Sequence, residues 1–397
     1  CARQILYISY TGRDPRDNSV REPSVLVKEL LDFIDRYSPR SENSDTKPSD
    51  ALIQVHPMHA FSPKNYANGQ KSYDKHWFRI AKALANPKTP SNPKHWPASR
   101  IARLEQESRR IELFRVHQFL KHPVRFFFNT RLKIRIDEKN EIEDSESFSM
   151  DALEQWKVKS MIAEDFLRRK DLASAKLQAA GMLPHGSLGP FYLDRIYEQS
   201  RALFDSLHEY QALVPESRPI EWVFPEDFCL CGKVQNVYPG KGLLHFTASK
   251  FKGSHLLRLW LDHLCLSLAE NAQCESSHLI CRDRSWHFPA LQSAQAEEML
   301  WKILERFLQA LEKPPAILPE ASAAWASSYL KGNIEQAFKQ AKSKWEGNFY
   351  TNIAGEKDDV YLRIVLRDIA TNPIDDPEFA RCSLEFYEDA LKFAEPR

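Results

Sequence analysis

Excess charge, C-x-x-C cysteine pairs and long apolar runs are all missing from this sequence of 397 residues. Its 55 basic and 54 acidic side chains nearly cancel, so global charge predicts neither a nucleic-acid binder nor a membrane-surface protein. The seven cysteines are odd in number and form no C-x-x-C pair, which favours reduced thiols in a cytosolic protein over a secreted disulfide framework. No apolar run reaches the length of about 18 residues that a membrane span needs.

The chain opens in a short β-rich run, without an initiator Met or a signal-peptide pattern, and we therefore expect it to be part of a longer protein. Its length and its hydrophobic content of 43% are sufficient for a sizeable core and for two or three domains. We predict a strand at Ile5–Tyr10, a helix with Ser24 as its N-cap, and a short helix near Lys75–Leu84 within an irregular, proline-rich stretch.

A hairpin-like pair of strands is predicted at residues 229–247. Pro239 and Gly240 suit the central positions of a type II turn, because proline presets φ and glycine tolerates a positive φ. Residues 255–270 are apolar on almost every face, which is typical of a buried helix. With a strand at 278–288 and a helix at Ala294–Leu311, the pattern predicts a mixed α/β (α+β) chain.

Two motifs for phosphate and acyl chemistry are incomplete. The stretch "NVYPGKGLL" has Gly242 where a P-loop needs a Ser or Thr hydroxyl for magnesium. The stretch "PHGSLG" has His185 where a nucleophile elbow needs its first glycine. Both stretches are better interpreted as plain turns.

Two metal sites can be considered from the cysteines and histidines. The candidate zinc ligands are Cys229, Cys231, His245 and His255. No second pair with finger-like spacing follows them, and two buried thiols in a core strand are the favoured interpretation. The candidate iron–sulfur ligands are Cys265, Cys274 and Cys281, which lack a convincing fourth cysteine. The sequence therefore predicts no metal and no cofactor.

A basic segment at residues 100–135 could bind DNA, because its cations are interleaved with aromatic side chains. The candidate DNA-binding residues are Arg115, Lys121, Arg125 and Arg131. The alternative is structural: the phenylalanines at 114, 119 and 126–128 would form core, and the arginines would pair with the acidic loop that follows.

Four segments, in this order, carry a family resemblance: "LYISYTGRDPRDNSVREPSVLVKELLDFI", "FLKHPVRFFFNTRL", "AAGMLPHGSLG" and "LRLWLDHLCLSLA". Together they resemble the C-terminal region of the exodeoxyribonuclease V gamma chain (RecC) family. The resemblance implies a RecB-type, restriction-endonuclease-like domain with a mixed β-sheet flanked by helices. It also implies the end of a helicase-like domain at 1–50, a proline-rich irregular connector at 51–109 and the nuclease-like domain at 110–397.

Active relatives of this nuclease fold resemble the pattern G-x-x-D-R-x-D on one strand and D/E-x-K on the next, with a glutamine in the following helix. In this chain Gly232 matches the glycine, and the degenerate positions after it are Gln235, Asn236, Tyr238, Thr247 and Ser249. Neutral amides and hydroxyls are weak ligands for a hard dication, so the resemblance implies a scaffold without catalytic residues. One related branch has an iron–sulfur cysteine where His122 stands here.

The resemblance further implies a cytoplasmic, bacterial heterotrimer with RecB and RecD that acts on DNA ends in double-strand break repair and recombination. We expect this non-catalytic chain to scaffold subunit assembly and the DNA path. Two alternatives remain: direct DNA binding through residues 100–135, and a nuclease with an unconventional site. For the latter, Asp194 and Glu198 would supply carboxylates, although acids at i,i+4 on a helix more often form a solvated face.

Overall fold

The computed structural model describes residues 3–14, 19–39, 47–66, 72–85, 109–136, 149–169, 174–211, 213–269, 276–348, 353–367 and 372–396. The chain forms two compact units, residues 1–91 and 92–397. The candidate zinc and DNA-binding residues lie within the described ranges. Cys274 and the acidic residues 137–148 lie outside them.

The first unit contains two helices, α1 (Val25–Tyr37) and α2 (Lys75–Ala85), and two short 3₁₀ turns. Both helices confirm the sequence prediction, and Ser24 is the N-cap of α1. The predicted strand at Ile5–Tyr10 is wrong: these residues form no strand, and all are exposed. A strand exists only when a neighbour pairs with its backbone, and no residue in the described part of the chain pairs with this segment.

The strands of the second unit are β1 (Arg110–Glu112), β2 (Glu216–Val223), β3 (Cys229–Tyr238), β4 (Gly242–Phe246), β5 (Ser277–Ile280), β6 (Ser285–Phe288), β7 (Gly347–Asn348), β8 (Ile353–Ala354) and β9 (Glu395–Pro396). Seven of them form one sheet in the order β1-β3-β4-β5-β6-β9, with β2 added on β3. β1 runs parallel to β3 and β4 parallel to β5, whereas the other pairs are antiparallel. The sheet is therefore mixed, as predicted.

The helices of the second unit are α3 (Leu113–Lys121), α4 (Pro123–Phe127), α5 (Ala152–Leu167), α6 (Ser174–Ala179), α7 (Leu188–Leu207), α8 (Gly253–Leu268), α9 (Ser293–Ala310), α10 (Pro319–Tyr329), α11 (Ile334–Glu346), α12 (Val360–Val365) and α13 (Pro377–Phe393). α8 and α9 confirm the predicted helices. The stretch predicted as one strand at 278–288 is instead the antiparallel pair β5 and β6. A turn of four residues separates them, so the apolar pattern continues across two strands.

Helices cover both faces of the sheet. Leu243 of β4 packs in the large core cluster that also contains residues of α3, α8 and α9. Its neighbour Leu244 packs in a second cluster with Leu203 and Leu207 of α7. Because successive side chains of a strand point to opposite faces, these two leucines assign α8 to one face and α7 to the other. Among the described helices, none is long and apolar enough to cross a membrane.

Candidate functional site

The candidate site lies where β3 turns into β4. The amide N of Lys241 donates to the carbonyl O of Tyr238 at 3.0 Å, and Gly240 has φ +72°, which confirms the predicted turn. Gly242 follows with φ +81°, and a Cβ at this position would lie 1.9 Å from the carbonyl O of Ser276. The first residue of β4 must therefore be glycine, because β5 approaches the backbone at this point.

On β3, the motif positions Gln235 and Asn236 lie in a bulge, and Tyr238 follows it. The pairing register between β2 and β3 shifts here, and Asn236 has φ +62°. Gln235 and Asn236 are exposed. Tyr238 is buried instead, with its ring 5.2 Å from that of Tyr210, and burial raises the pKa of its hydroxyl. Two of these side chains are therefore solvated, and the third belongs to the core.

Beyond β4, the hydroxyls of Thr247 and Ser249 bind each other. Their Oγ atoms lie 3.0 Å apart, and the amide N of Ser249 donates to Thr247 Oγ1 at 3.2 Å. The Ser249 hydroxyl also donates to the carbonyl O of Lys250. These bonds close a local turn of the Ser/Thr type and supply no anionic ligand.

The polar centre of this region is a buried carboxylate, Asp262 of α8, between two histidines. Oδ1 of Asp262 lies 2.8 Å from Nε2 of His117 on α3, and Oδ2 lies 3.0 Å from Nε2 of His245 on β4. This His117–Asp262–His245 cluster therefore joins two helices to the sheet. One feature of the sequence indicates this cluster: Asp262 is the only acidic residue in the apolar run "HLLRLWLDHLCLSLA", and a buried carboxylate needs polar partners.

The histidines keep Asp262 ionised. Burial by itself would raise the pKa of this carboxyl, but the hydrogen bonds from His117 and His245 outweigh burial and hold its pKa well below the usual range. Burial lowers the pKa of His245, against the opposing effect of Asp262. Nearby, burial lowers the pKa of His255 to about 4. At neutral pH Asp262 is therefore an anion within the fold.

One stability prediction arises from His263, which is fully buried on α8 with Nδ1 2.7 Å from Ser277 Oγ. Burial lowers its pKa from 6.5 to about 4, so the unfolded chain binds more protons than the folded one between these pH values. This histidine therefore stabilises the fold above pH 6.5, and the contribution is lost on acidification. We expect the destabilisation caused by His263→Gln to shrink by about 2 kcal/mol between pH 7 and pH 5.

Urea denaturation of wild type and variant at each pH measures this difference. Taking the difference removes the other titrating groups, including Glu356, whose pKa burial raises to about 8 and whose contribution has the opposite sign. Ser277→Ala is the matched control, because it removes the same hydrogen bond and keeps the imidazole. The free energy of unfolding of Ser277→Ala should change with pH in the same way as that of wild type. The same pH dependence in His263→Gln would contradict the prediction.

The structure separates the candidate zinc ligands. Leu230 is fully buried in the core, so its strand neighbours Cys229 and Cys231 lie on the outer face of β3, partly exposed. The interpretation of both as buried core thiols is therefore wrong. His245 contacts Asp262 on the opposite face.

Metal ligation finds no support elsewhere in the described ranges. Of the candidate iron–sulfur ligands, Cys265 and Cys281 are buried, and burial raises the pKa of both thiols. Within the described ranges, no three His, Cys, Asp or Glu side chains group together as metal ligands. Asp194 and Glu198, the acids considered for an unconventional nuclease site, are exposed on α7.

The four candidate DNA-binding residues fall into two pairs. The Arg115 guanidinium lies over the Phe307 ring at 5.7 Å, and Arg131 donates from Nε to the carbonyl O of Leu311, so both contact the protein and are only partly exposed. Lys121, at the end of α3, is exposed. Arg125 of α4 is also exposed, although its guanidinium lies 5.1 Å above a tyrosine ring. Lys121 and Arg125 are therefore the two that solvent reaches most easily.

The aromatic residues of the basic segment are mostly core, as the structural alternative predicted. Phe119, Phe126, Phe127 and Phe128 are buried, whereas Phe114 is 65% exposed. His122 separates the two helices: its Nδ1 accepts from the amide N of Arg125 at 3.1 Å, and its Nε2 lies 3.2 Å from an Asp359 oxygen. Where one branch of the fold has an iron–sulfur cysteine, this chain has a helix cap.

Comparison of the sequence with models of protein families identifies the family of this chain. A family model described as the RecC C-terminal domain matches residues 108–330, more than half of the chain. The chain belongs to the RecC family. The match covers the β1–β6 sheet, the His117–Asp262–His245 cluster and the basic segment from residue 109.

Individual RecC proteins are similar over most of this chain. The RecBCD enzyme subunit RecC of Escherichia coli K12 is 28% identical over 394 residues, which cover 93% of this chain and 33% of that protein. The RecC of Haemophilus influenzae is 29% identical over 321 residues, covering 78% and 27%. That of Mycobacterium tuberculosis H37Rv is 25% identical over 359 residues, covering 87% and 32%. The chain thus spans about a third of the length of these relatives.

Proposed function

We propose that this chain is a non-catalytic region of a RecC subunit, with a nuclease-like fold whose active site has been lost. One observation carries the proposal: the motif positions on β3 and after β4 hold two solvated amides, a buried tyrosine and a self-paired Thr–Ser turn. A divalent ion held against a phosphate needs anionic oxygen ligands, and none of these groups supplies one.

The division of the chain is part of the same proposal. Residues 1–50 are the end of a helicase-like domain, residues 51–109 a connector, and residues 110–397 the nuclease-like domain. The mixed sheet with helices on both faces supports the last assignment. The exposed apolar side chains of Ile5–Tyr10 support the assignment of residues 1–50 to the end of a larger domain, because such a segment needs a strand neighbour from another part of the protein.

The region's task is to scaffold subunit assembly with RecB and RecD and to line the path of DNA ends, in double-strand break repair and recombination in the bacterial cytoplasm. The relatives' description as subunits of the RecBCD enzyme supports this assignment. Exposed large apolar residues on two helices of the domain also support a docking role: Leu153, Trp156, Leu188, Phe191 and Tyr197. Such side chains are typical anchors of a protein interface.

Size-exclusion co-elution with RecD tests the assembly role, at low and high salt. We expect co-elution that survives high salt for the wild-type RecC chain and weakens at least about tenfold in Trp156→Glu/Phe191→Glu, because a charge replaces each apolar anchor. Val214→Glu is the matched control, since Val214 is 81% exposed in the loop before β2 and belongs to neither helix. Unchanged RecD binding by the double variant would contradict an interface on α5 and α7.

For the DNA path, we predict that Lys121→Ala/Arg125→Ala lowers the salt dependence of forked-DNA binding. Each lysine or arginine that neutralises a phosphate contributes about one unit to the slope of log K against log salt, so the double variant should lose about two. Fluorescence anisotropy over a salt series measures the slope in the RecC-containing complex.

Arg115→Ala/Arg131→Ala is the control for this slope, because these arginines contact an aromatic ring and a backbone carbonyl. It should leave the slope within error of wild type. If wild type and both double variants have equal slopes of log K against log salt, these residues of the basic segment do not contact DNA. Cleavage of DNA by the RecC chain alone with Mg²⁺ or Mn²⁺, abolished by Glu198→Gln, would overturn the non-catalytic assignment.

A further inference from the structure

Two partly exposed cysteines lie on one face of β3, outside the site described above. Cys229 and Cys231 flank the fully buried Leu230 on β3, so both thiols point away from the core. On the core side, Gly232 touches α3 so closely that a Cβ there would lie 2.6 Å from Leu113 Cβ. Both thiols are partly exposed, and neither belongs to the motif positions of the nuclease-like site or contacts the four candidate DNA-binding residues.

Charged groups from both neighbouring strands surround this thiol pair. Nε of Arg110, on β1, donates to Sγ of Cys231 at 3.2 Å, and Sγ of Cys231 lies 3.6 Å from the carbonyl O of Ile111. Glu221, on β2, has Oε1 3.9 Å from Sγ of Cys229 and 3.6 Å from Nη1 of Arg110. The hydrogen bond to Cys231 raises the pKa of Arg110. A guanidinium favours a thiolate beside it, whereas burial and the nearby Glu221 raise the pKa of the Cys229 thiol.

The spacing of the two thiols disfavours a disulfide bond. Residues i and i+2 of a strand are about 6.6 Å apart and their Cβ atoms point the same way, whereas a disulfide needs Cβ atoms within about 4.5 Å. A single metal ion bound between two sulfurs, with bonds of about 2.3 Å each, spans about 4.6 Å. Cys229 and Cys231 project from the same strand face, so their sulfurs lie on one side of the sheet.

We propose that Cys229 and Cys231 form a two-thiolate site for a soft monovalent cation, Cu(I) or Ag(I). Thiolate ligands select soft cations, whereas the nearby Glu221 is a hard oxygen ligand that is paired with Arg110. Within the described ranges, no three His, Cys, Asp or Glu side chains group together as metal ligands, so the four ligands of tetrahedral zinc are not assembled here. Binding releases one proton from each thiol and leaves a bis-thiolate complex with one net negative charge. The Arg110 guanidinium, already at hydrogen-bond distance from Cys231, offsets that charge.

Anaerobic competition with a chromophoric Cu(I) chelator tests the site in the complete RecC chain. The wild-type protein should withdraw one more equivalent of Cu(I) from the chelator than Cys229→Ser/Cys231→Ser does. Each single serine variant should also lose this equivalent, because a two-coordinate ion needs both sulfurs. Arg110→Gln should keep the stoichiometry and weaken the affinity about tenfold, since it removes the compensating charge.

Two controls show whether a loss of Cu(I) binding comes from this site, and not from another thiol or from unfolding of the variant. Cys382→Ala removes a buried thiol on α13 and should retain the extra equivalent. The double serine variant alters two partly exposed side chains, so its thermal unfolding curve should match that of wild type. Equal Cu(I) uptake by wild type and the double variant, or complete recovery of Cu(I) by the chelator from wild type, overturns the proposal.

Discussion

Replacement of Asp262 by alanine is expected to lower the free energy of unfolding by about 3–5 kcal/mol, the usual loss when one partner of a buried ion pair is removed. The carboxylate is 4% exposed and is the shared partner of His117 and His245. Without it, two imidazoles on different elements lose their partner inside the core, and each lost hydrogen bond leaves a desolvated nitrogen. Chemical denaturation of the wild-type and variant proteins measures the difference.

Asp262→Asn separates charge from shape in this cluster. The amide keeps the volume and one acceptor oxygen but loses the anion, so we expect roughly half of the alanine effect. Asp194→Ala, at an exposed position of α7, is the matched surface control and should change stability by less than about 0.5 kcal/mol. A loss below about 1 kcal/mol for Asp262→Ala would show that the cluster contributes little to holding α3 and α8 on the sheet.

Gly242→Ala is expected to destabilise the domain by about 2–5 kcal/mol, from left-handed strain of about 1–2 and overpacking of about 1–3 kcal/mol. The backbone at Gly242 has φ +81°, and the new Cβ would lie 1.9 Å from the carbonyl O of Ser276. That oxygen accepts from the amide N of Leu243 at 3.1 Å. The methyl group must therefore push β4 and β5 apart at the point where they pair.

Gly240→Ala provides a closely matched control two residues away. Gly240 also has a positive φ, of +72°, but a Cβ there would meet nothing within 4 Å. Its alanine variant therefore carries the conformational strain alone, and we expect a loss of about 1–2 kcal/mol. Thermal unfolding of both variants isolates the steric part as their difference. Equal losses would mean that β5 moves away from the new methyl group without cost.

The local elements of this chain were largely predictable because neighbouring residues determine them. Proline followed by glycine specified the turn between β3 and β4, and the apolar run at 255–270 specified α8. The strand predicted at Ile5–Tyr10 failed for the opposite reason, since strand pairing needs a distant partner. The apolar pattern at 278–288 did not reveal the turn that divides β5 from β6.

The candidate site was only partly predictable. The absence of carboxylates at the motif positions was evident from residue types. Residue types did not show that Gln235 is solvated and Tyr238 is buried. A bulge at these positions interrupts the alternation of faces along β3, so the strand pattern could not assign the side chains. The spacing of Cys229 and Cys231 shows that they share a strand face, but it does not show whether that face is buried. The packing of Gly232 on Leu113 assigns the cysteines to the outer face.

By itself, the sequence determined the family, the α/β character, helices such as α1, α2, α8 and α9, and the absence of carboxylates at the motif positions, since each depends on residue type or on spacing within one segment. Only the tertiary structure decided which polar groups meet. His117, His245 and Asp262 lie on three elements, up to 145 positions apart in the chain, and their contacts exist because the sheet and two helices pack together. Contacts of this kind depend on the positions of whole elements, and a local pattern contains no information about those positions.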